Sequence, residues 1–436
     1  MLQTDTTTTI EADALQGSSR YGACQRSVAG SGRGRSPSRR VLVLSTAFPA
    51  VVQPTYGIFV KERVRALASL PNYDVQVIAP VPYFPPLRVL DRWYIWSQFP
   101  RKETIDGLQV HHPRFPMVPK LGHRFQPRLM QVSVNRLARR VAKEFDFDVI
   151  DAHFVYPSGV VAARLAAATG KPLVVTGRGE DMCRFPRVPA LRRQIEFAVA
   201  RASHCIAVSH EIAEAFVECG ASPDRVTVIG NGVDTAKFYP LDRIEARRGL
   251  ELSEQGRLIV AVGDCVENKG FHVLVDAVAE LRRRGHDVHA RIVGGAPRHG
   301  ADFTPAIEAR IRACGVADYV RLVGRRPHSE LLAWYNAADL FTLFSEREGS
   351  PNVLMEALAC GTPAVATSVG GIPDILRDSC LGLLVPERNV SSIVEAVFEA
   401  LDRTWDRAVI RSVVEKRDWR HVALQLNSIF DRLKCR

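Results

Sequence analysis

The feature that most constrains this chain is an alternation. Short, nearly unbroken Val/Ile/Leu runs trade places with amphipathic helical stretches from Val41, pause near residue 234 and resume at Leu258. A strand apolar on both faces has to be covered on both faces, and a parallel sheet flanked by helices provides that cover. The first series of strands is "VLVLS" from Val41, then 75–80, 108–112, 148–153, 172–177 and 204–209, ending in "VTVIGNGVD" at 226–234. Helical periodicity fills 58–70, 128–144, 158–169, 189–201 and 210–219. The second series has strands at 258–263, 289–295, 320–324, 340–344, 363–368 and 382–385. Its helices fall at 270–284, 305–314, 328–337, about 351–359, 390–402 and 418–434. This predicts two doubly wound α/β domains, 41–235 and 236–415, with a closing helix over 416–436. Asn231-Gly232 reads as a turn, and the charged stretch to about Glu254 reads as linker. Ligands in such sheets bind beyond the carboxyl ends of the strands, so the cleft between two facing domains is the expected site.

Composition narrows the function classes. The chain has 436 residues, enough for two or three full cores, and its 46% hydrophobic and 24% charged residues are globular values. No apolar run approaches the ~18 residues of a membrane span. The nine Cys include no CxxC and no Cys/His cluster, which predicts reduced intracellular thiols filling cores. Residues 1–40 are Thr-, Ser-, Gly- and Arg-rich without a signal-peptide apolar region, and read as a disordered leader or an over-extended gene start. The formal charge of +11 is uneven: residues 226–436 carry 28 basic and 28 acidic side chains, so the whole surplus lies earlier. Such asymmetry points to a nucleic acid, an anionic membrane or an acidic substrate, or else to a solubilising surface. No nucleic-acid-binding module is recognisable, and nucleic acid is not expected as a partner. Residues 82–128, rich in Pro, aromatics and Arg, fit an irregular insertion, an interfacial patch or a base-stacking surface.

The sharpest chemical signal is "SEREGSPNVLMEALACGTPAVATSVGGIPDIL" at 345–376. Glu348 and Glu356 bracket Gly349-Ser350-Pro351-Asn352, with Ser350 suited to the helix N-cap and Pro351 to the first helical position. A helix N-terminus behind a small-residue loop binds phosphate or sugar oxygens. Glu348 would accept hydroxyl hydrogen bonds, and Glu356 would grip a ribose diol. The plainer alternative has Glu348 favouring the helix dipole and Glu356 facing solvent. The "DFD" at 146–148 superficially matches a metal motif but reads as a helix-to-strand connection.

The Glu pair, "ACGTPAVAT" and "VGGIPDI" together resemble the C-terminal domain of the family 4 retaining glycosyltransferases, which have the GT-B fold. "VAVGDCVENKG" (260–270), "IVGGAP" (292–297), "PHSELLAWYNAADLF" (327–341) and "NGVDTAKFYP" (231–240) fit the same pattern in the same order. "STAFP…PTYGIFV", "DAHFVYPSG" (151–159) and "VVTGRGEDM" (174–182) are similar to the N-terminal domain of a subgroup that includes a teichuronic acid glycosyltransferase. The resemblance covers roughly 41–430. It implies two Rossmann-like domains facing across a cleft, with the last helix returning to the N-terminal domain.

The resemblance further implies transfer of a sugar from a nucleotide-diphosphate donor, UDP-linked before GDP-linked, with retention, to a glycan or lipid-linked acceptor of surface polysaccharide assembly. It implies no other cofactor and no metal, and a cytoplasmic protein at the inner face of the membrane. Glu356 would bind the ribose and Glu348 would face the donor sugar. Gly349, Ser350, Asn352 and Val353 would offer backbone N–H groups, and Gly294 and Gly295 close backbone approach. Lys269 would neutralise the leaving diphosphate. His153 would reach the reacting sugar, with Gly57, Arg178 and Asp181 lining the acceptor side. Two departures stand out: Asp264 where relatives carry Arg, with Arg325 or Arg326 as substitute cations, and Asp374 where Glu is usual. With no second carboxylate placed as nucleophile, front-face substitution is expected rather than double displacement. Three alternatives are another GT-B enzyme such as an epimerase or phosphorylase, a non-catalytic GT-B subunit binding a glycan or a partner glycosyltransferase, and nucleic-acid binding through the basic half.

Overall fold

In this computed structural model the described residues are 39–83, 85, 94–117, 123–297 and 300–433. The expected leader falls outside them up to residue 38, as do 84, 86–93 and 118–122 of the aromatic segment. The first series of apolar runs forms ten strands. They are β1 (Arg39–Ser45), β2 (Tyr73–Ile78), β3 (Val81–Tyr83), β4 (Lys102–Ile105), β5 (Leu108–His111), β6 (Arg114–Pro116), β7 (Val149–His153), β8 (Leu173–Gly177), β9 (His204–Ala207) and β10 (Val226–Val228). Eight of them make one sheet in the order β10-β9-β8-β7-β1-β2-β5-β4. All its pairings are parallel except the β4–β5 edge, while β3 and β6 pair separately. Every residue of β7 and β8 is buried, Asp151 and His153 of β7 among them, as strands covered on both faces require.

The second series gives β11 (Arg257–Val262), β12 (Val288–Val293), β13 (Val320–Gly324), β14 (Leu340–Leu343), β15 (Ala364–Thr367) and β16 (Gly382–Val385). They form an all-parallel sheet in the order β13-β12-β11-β14-β15-β16. The order reverses beside β11 and β14, which is where such sheets open a crevice for ligand. Each sheet carries apolar cores on both faces.

The stretch expected as linker is folded. Residues Arg243–Gly249 form a helix capped by Asp242, whose Oδ1 accepts from Glu245 N at 2.9 Å. Its charge pattern hid one buried cation. Arg247 is 2% exposed and donates to Ala337 O (3.0 Å) and Asp339 Oδ2 (2.6 Å). Val233, Phe238 and Ala246 join the second core. The aromatic segment, where it is described, is partly interior: Phe99 and Phe115 are buried and Trp96 stacks on Phe99 with ring centres 5.4 Å apart. Asp146 and Asp148 of the "DFD" stretch lie in the connection ahead of β7, where they hold Arg40 and Lys171. Burial pushes the Cys205 and Cys360 thiols up to about 12, which makes them inert filler.

The last helix, Trp419–Arg432, leaves the second sheet and returns to the first. Trp419, Val422, Leu426, Ile429 and Phe430 enter the core beneath β1 and helix Ile58–Ala68. Tyr73 donates to Asn427 Oδ1 at 2.7 Å. This return ties the two sheets into one compact unit of the described chain. Among the described residues, no helix is long and apolar enough to cross a membrane.

Leu426 is fully buried in that returning face. Leu426→Ala is expected to lower unfolding free energy by about 2–5 kcal/mol in urea titration. A change under about 0.5 kcal/mol, the range of an exposed site, would contradict the packed return.

Candidate active site

The carboxyl ends of the two sheets come into direct backbone contact. A Cβ on Gly349, in the loop after β14, would stand 2.0 Å from Arg178 O in the loop after β8. Only glycine allows that approach. The loops around this contact carry most of the residues expected from the sequence.

On the second sheet, Lys269 follows β11 and Glu348 follows β14. Lys269 Nζ donates to Glu348 Oε1 at 2.6 Å, and Ser345 Oγ donates to the same oxygen at 2.7 Å. An ammonium has three N–H donors, so two remain for an anion. Gly294 and Gly295 follow β12. A Cβ on Gly294 would stand 1.7 Å from Gly263 O, which packs the loops after β11 and β12 backbone to backbone. Arg325 follows β13 and donates to Asp264 Oδ1 (2.6 Å) and Ala296 O (2.9 Å). The acidic departure at Asp264 therefore holds a cation beside the same loops. Arg326 donates to Val323 O at 3.4 Å and lies 4.0 Å from Glu330 Oε2.

Glu356 does not face solvent; it is 8% exposed. Tyr335 OH donates to its Oε2 (2.8 Å), and His328 Nε2 lies 2.9 Å from its Oε1. Lys237 Nζ lies 2.6 Å from His328 Nδ1, so Nδ1 accepts and Nε2 carries the proton toward Glu356. The remaining lone pairs of Glu356 could accept a diol. Tyr335, His328 and Lys237 lie inside motif-bearing stretches of the sequence, but only their contacts reveal the relay.

Ser350 is not the N-cap. The helix is Asn352–Ala359 with Pro351 at its N-cap, because Ser350 Oγ is engaged elsewhere. It accepts from Asn231 N at 3.2 Å. The side chain of Asn231 then clasps both halves. Its Nδ2 donates to Ser350 O (3.0 Å) and Asn352 Oδ1 (3.0 Å), and its Oδ1 accepts from Arg178 Nη1 (3.0 Å). The first N–H groups of the helix, at Asn352 and Val353, have no acceptor within it. Asp374 forms a second clasp, accepting from His210 N at 2.8 Å. The shorter side chain thus still reaches across between the halves.

On the first sheet, His153 ends β7 and is wholly buried. Arg178 Nη2 donates to His153 Nδ1 at 2.8 Å. His153 Nε2 lies 3.3 Å from Asp151 Oδ2 without the alignment of a hydrogen bond. The ring is sealed with Arg178 rather than open to the cleft. Asp181 pins the next turn: its carboxylate accepts from Val155 N (2.7 Å), Arg178 N (3.0 Å) and Gly179 N (2.9 Å). Burial raises the Asp181 carboxyl above its ordinary range against the pull of those N–H groups. Arg178 also lies over the Phe59 ring, 5.1 Å from its centre. Gly57, in left-handed backbone with φ 73°, precedes helix Ile58–Ala68 and packs on Ala47. That helix adds a residue the sequence reading missed. Arg63 is 2% exposed beside Asp151. It sits on the buried stripe of Val60, Val64 and Leu67, which is the signal that could have found it. The buried cluster balances two guanidiniums against two carboxylates.

No three His, Cys, Asp or Glu among the described residues gather as a metal site. The geometry is that of a cleft with a cation, a buried carboxylate and free helix N–H groups on one side, and a buried, charge-balanced wall on the other.

Residues 57–237 match the family described as Glycosyltransferase Family 4, and residues 256–403 match Glycosyl transferases group 1. The putative teichuronic acid biosynthesis glycosyltransferase TuaC of Bacillus subtilis is 29% identical, over 82% of this chain and 88% of its own length. The D-inositol 3-phosphate glycosyltransferase of Corynebacterium aurimucosum is 32% identical, over 66% of this chain and 72% of its own. Among solved structures, the Anabaena protein HepE, in complex with UDP and glucose, superposes with a TM-score of 0.67 at 21% identity. That match covers 91% of this chain and all of the other.

Burial, with Arg178 and Arg63 nearby, lowers His153 to about 4, although Asp151 acts in the opposite direction. Between an unfolded value of about 6.5 and the folded one, only the unfolded chain takes up this proton. Stability from this group is full above the unfolded value and falls as the pH drops through that window, by as much as tenfold in the folding equilibrium per unit. The His153 ring proton is expected to keep its neutral NMR position down to about pH 5, and a midpoint near 6.5 would contradict the sealed cluster.

Proposed function

The chain belongs to glycosyltransferase family 4, whose members are retaining enzymes, and we propose that it transfers a sugar from a UDP-sugar to a glycan or lipid-linked acceptor in surface polysaccharide assembly. The observation that carries this reading is the Lys269–Glu348 pair at the mouth of the cleft. The ammonium, held by Glu348, meets the leaving diphosphate with its two free N–H bonds. Negative charge grows there as the glycosidic C–O bond lengthens, and a fixed cation stabilises it without reorganising. The loop from Gly349 to Val353 supplies N–H donors to the sugar and diphosphate oxygens. Glu356 takes the ribose hydroxyls. UDP ranks ahead of GDP, and the HepE complex with UDP supports that order.

Each carboxylate near the reacting centre is already engaged. Glu348 is held by Lys269 and Ser345, Glu356 by Tyr335 and His328, Asp181 by three backbone N–H groups, and Asp151 is sealed. None is poised to attack the anomeric carbon. The acceptor hydroxyl therefore attacks from the face the diphosphate leaves, and the departing phosphate oxygen takes its proton. Arg178 and His153 act by fixing the acceptor wall.

The charge surplus supports a membrane-borne acceptor. Helix Gln126–Glu144 buries Met130, Val134, Ala138 and Val141. Its outward face presents Arg128, Arg136, Arg139, Arg140 and Lys143, together with Val132 at 75% exposure. A basic face with an apolar residue at its centre complements anionic headgroups, at about 1 kcal/mol per cation.

Lys269→Ala is expected to lower the rate of transfer from UDP-sugar about 10²–10³-fold with folding intact. An unchanged rate would remove Lys269 from the chemistry. Vesicles containing anionic phospholipid are expected to sediment the protein at low salt and release it at high salt. Equal sedimentation with neutral vesicles would return the basic face to a solvated role.

A further inference from the structure

The chain crosses between the two halves twice, near 230–233 and 416–419, and the crossings run side by side. Val233 N donates to Arg417 O at 3.2 Å, and a Cβ on Gly232 would meet Trp419 at 2.9 Å. Against them lies a cavity of about 350 Å³ whose walls come from both halves and from the returning helix. Lys269, Glu348 and Glu356 do not line it. Its floor is apolar, built from Val208, Ile229, Ile375 and Val422.

The rim carries Arg377, Lys416 and Arg417, and Asp374 is the one carboxylate among the lining residues. That carboxylate is already used by His210, whose N and Nδ1 lie 2.8 and 2.7 Å from its oxygens, and by Arg377, whose Nη2 lies 3.4 Å from Oδ1. Among the described residues, the Lys416 and Arg417 side chains have no hydrogen bond or ion pair. Burial and the like charge of Arg377 pull the Arg417 guanidinium below its ordinary value, against Asp374 and Asp378. Arg417, half-buried and unpaired at the edge of an apolar floor, lacks an anion, and exposed Lys416 beside it adds a second free cation. A second cavity, of about 460 Å³ beside Asp339, differs in this respect: Arg243 and Arg247 are each 2.6 Å from that carboxylate.

We propose that the hinge cavity binds a phosphate-bearing small molecule, its phosphate held by Lys416, Arg417 and Arg377 and its apolar part lying on the floor. Such a ligand touches the first sheet, the second sheet and both crossings at once. It binds the closed arrangement more tightly than an opened one, and so favours closure of the cleft. The site shares Ser350 with the donor loop but none of Lys269, Glu348 and Glu356, and it does not rest on the identity of the donor sugar.

Calorimetric titration of the full chain with inorganic pyrophosphate tests it. The wild type and K269Q, which removes the donor-side cation, are expected to bind alike at this site. The K416Q/R417Q variant is expected to bind at least tenfold more weakly with an unchanged thermal unfolding midpoint. If that variant fails to fold, R377Q, which leaves residues 416 and 417 intact, decides by the same tenfold criterion. Wild-type affinity in these rim variants, loss of binding only in K269Q, or no binding by the wild type would each overturn the proposal.

Discussion

The arrangement of the two halves turns on one amide. Asn231 uses its side-chain oxygen for Arg178 and its side-chain nitrogen for Ser350 and Asn352, while its backbone N–H donates to Ser350. One residue at the crossing thereby fixes the buried wall of the first sheet against the glycine loop of the second. No charged or aliphatic side chain could supply both a donor and an acceptor at that point. The Gly349–Arg178 backbone contact depends on the same clasp, because it requires the two loops at van der Waals distance.

From that clasp the chemistry divides cleanly between the halves. The second sheet contributes Lys269, Glu348, Glu356 and free helix N–H groups, all at the carboxyl ends of strands or just beyond them. The first contributes a buried network in which Arg63, Arg178, Asp151 and Asp181 balance and His153 is kept neutral. The two sides therefore serve different ends. The second sheet offers a cation and free N–H groups to the cleft, while the first holds a fixed surface whose own charges are already compensated.

Much of this was legible in the sequence for a physical reason. A parallel strand covered on both faces is nearly continuously apolar, so β8, β11 and β15 announced themselves within a residue or two. Lys269 and Glu348, 79 positions apart in sequence, were both named and do meet. What escaped was set by tertiary contact. Helix Arg243–Gly249 looked like linker because its two buried positions are a small alanine and an arginine, the latter satisfied by an aspartate 92 residues away. Ser350 fitted the N-cap rule locally, but Asn231 competes for its hydroxyl. Asn231-Gly232 carried a turn signal that concealed a clasp. His153 stood out at a strand end, yet nothing local indicates that Arg178 seals it.

Glu356 is where the donor reading is most exposed to test, since its carboxylate is buried, held by Tyr335 and His328, and would meet only the ribose diol. Calorimetric titration of UDP into the wild type and Glu356→Ala addresses it directly. UDP should bind the wild type and bind the variant at least tenfold more weakly, the loss of about 1.4 kcal/mol or more that paired charge-assisted hydrogen bonds imply. Equal UDP affinity in the two proteins would contradict a nucleotide-sugar cleft at this position.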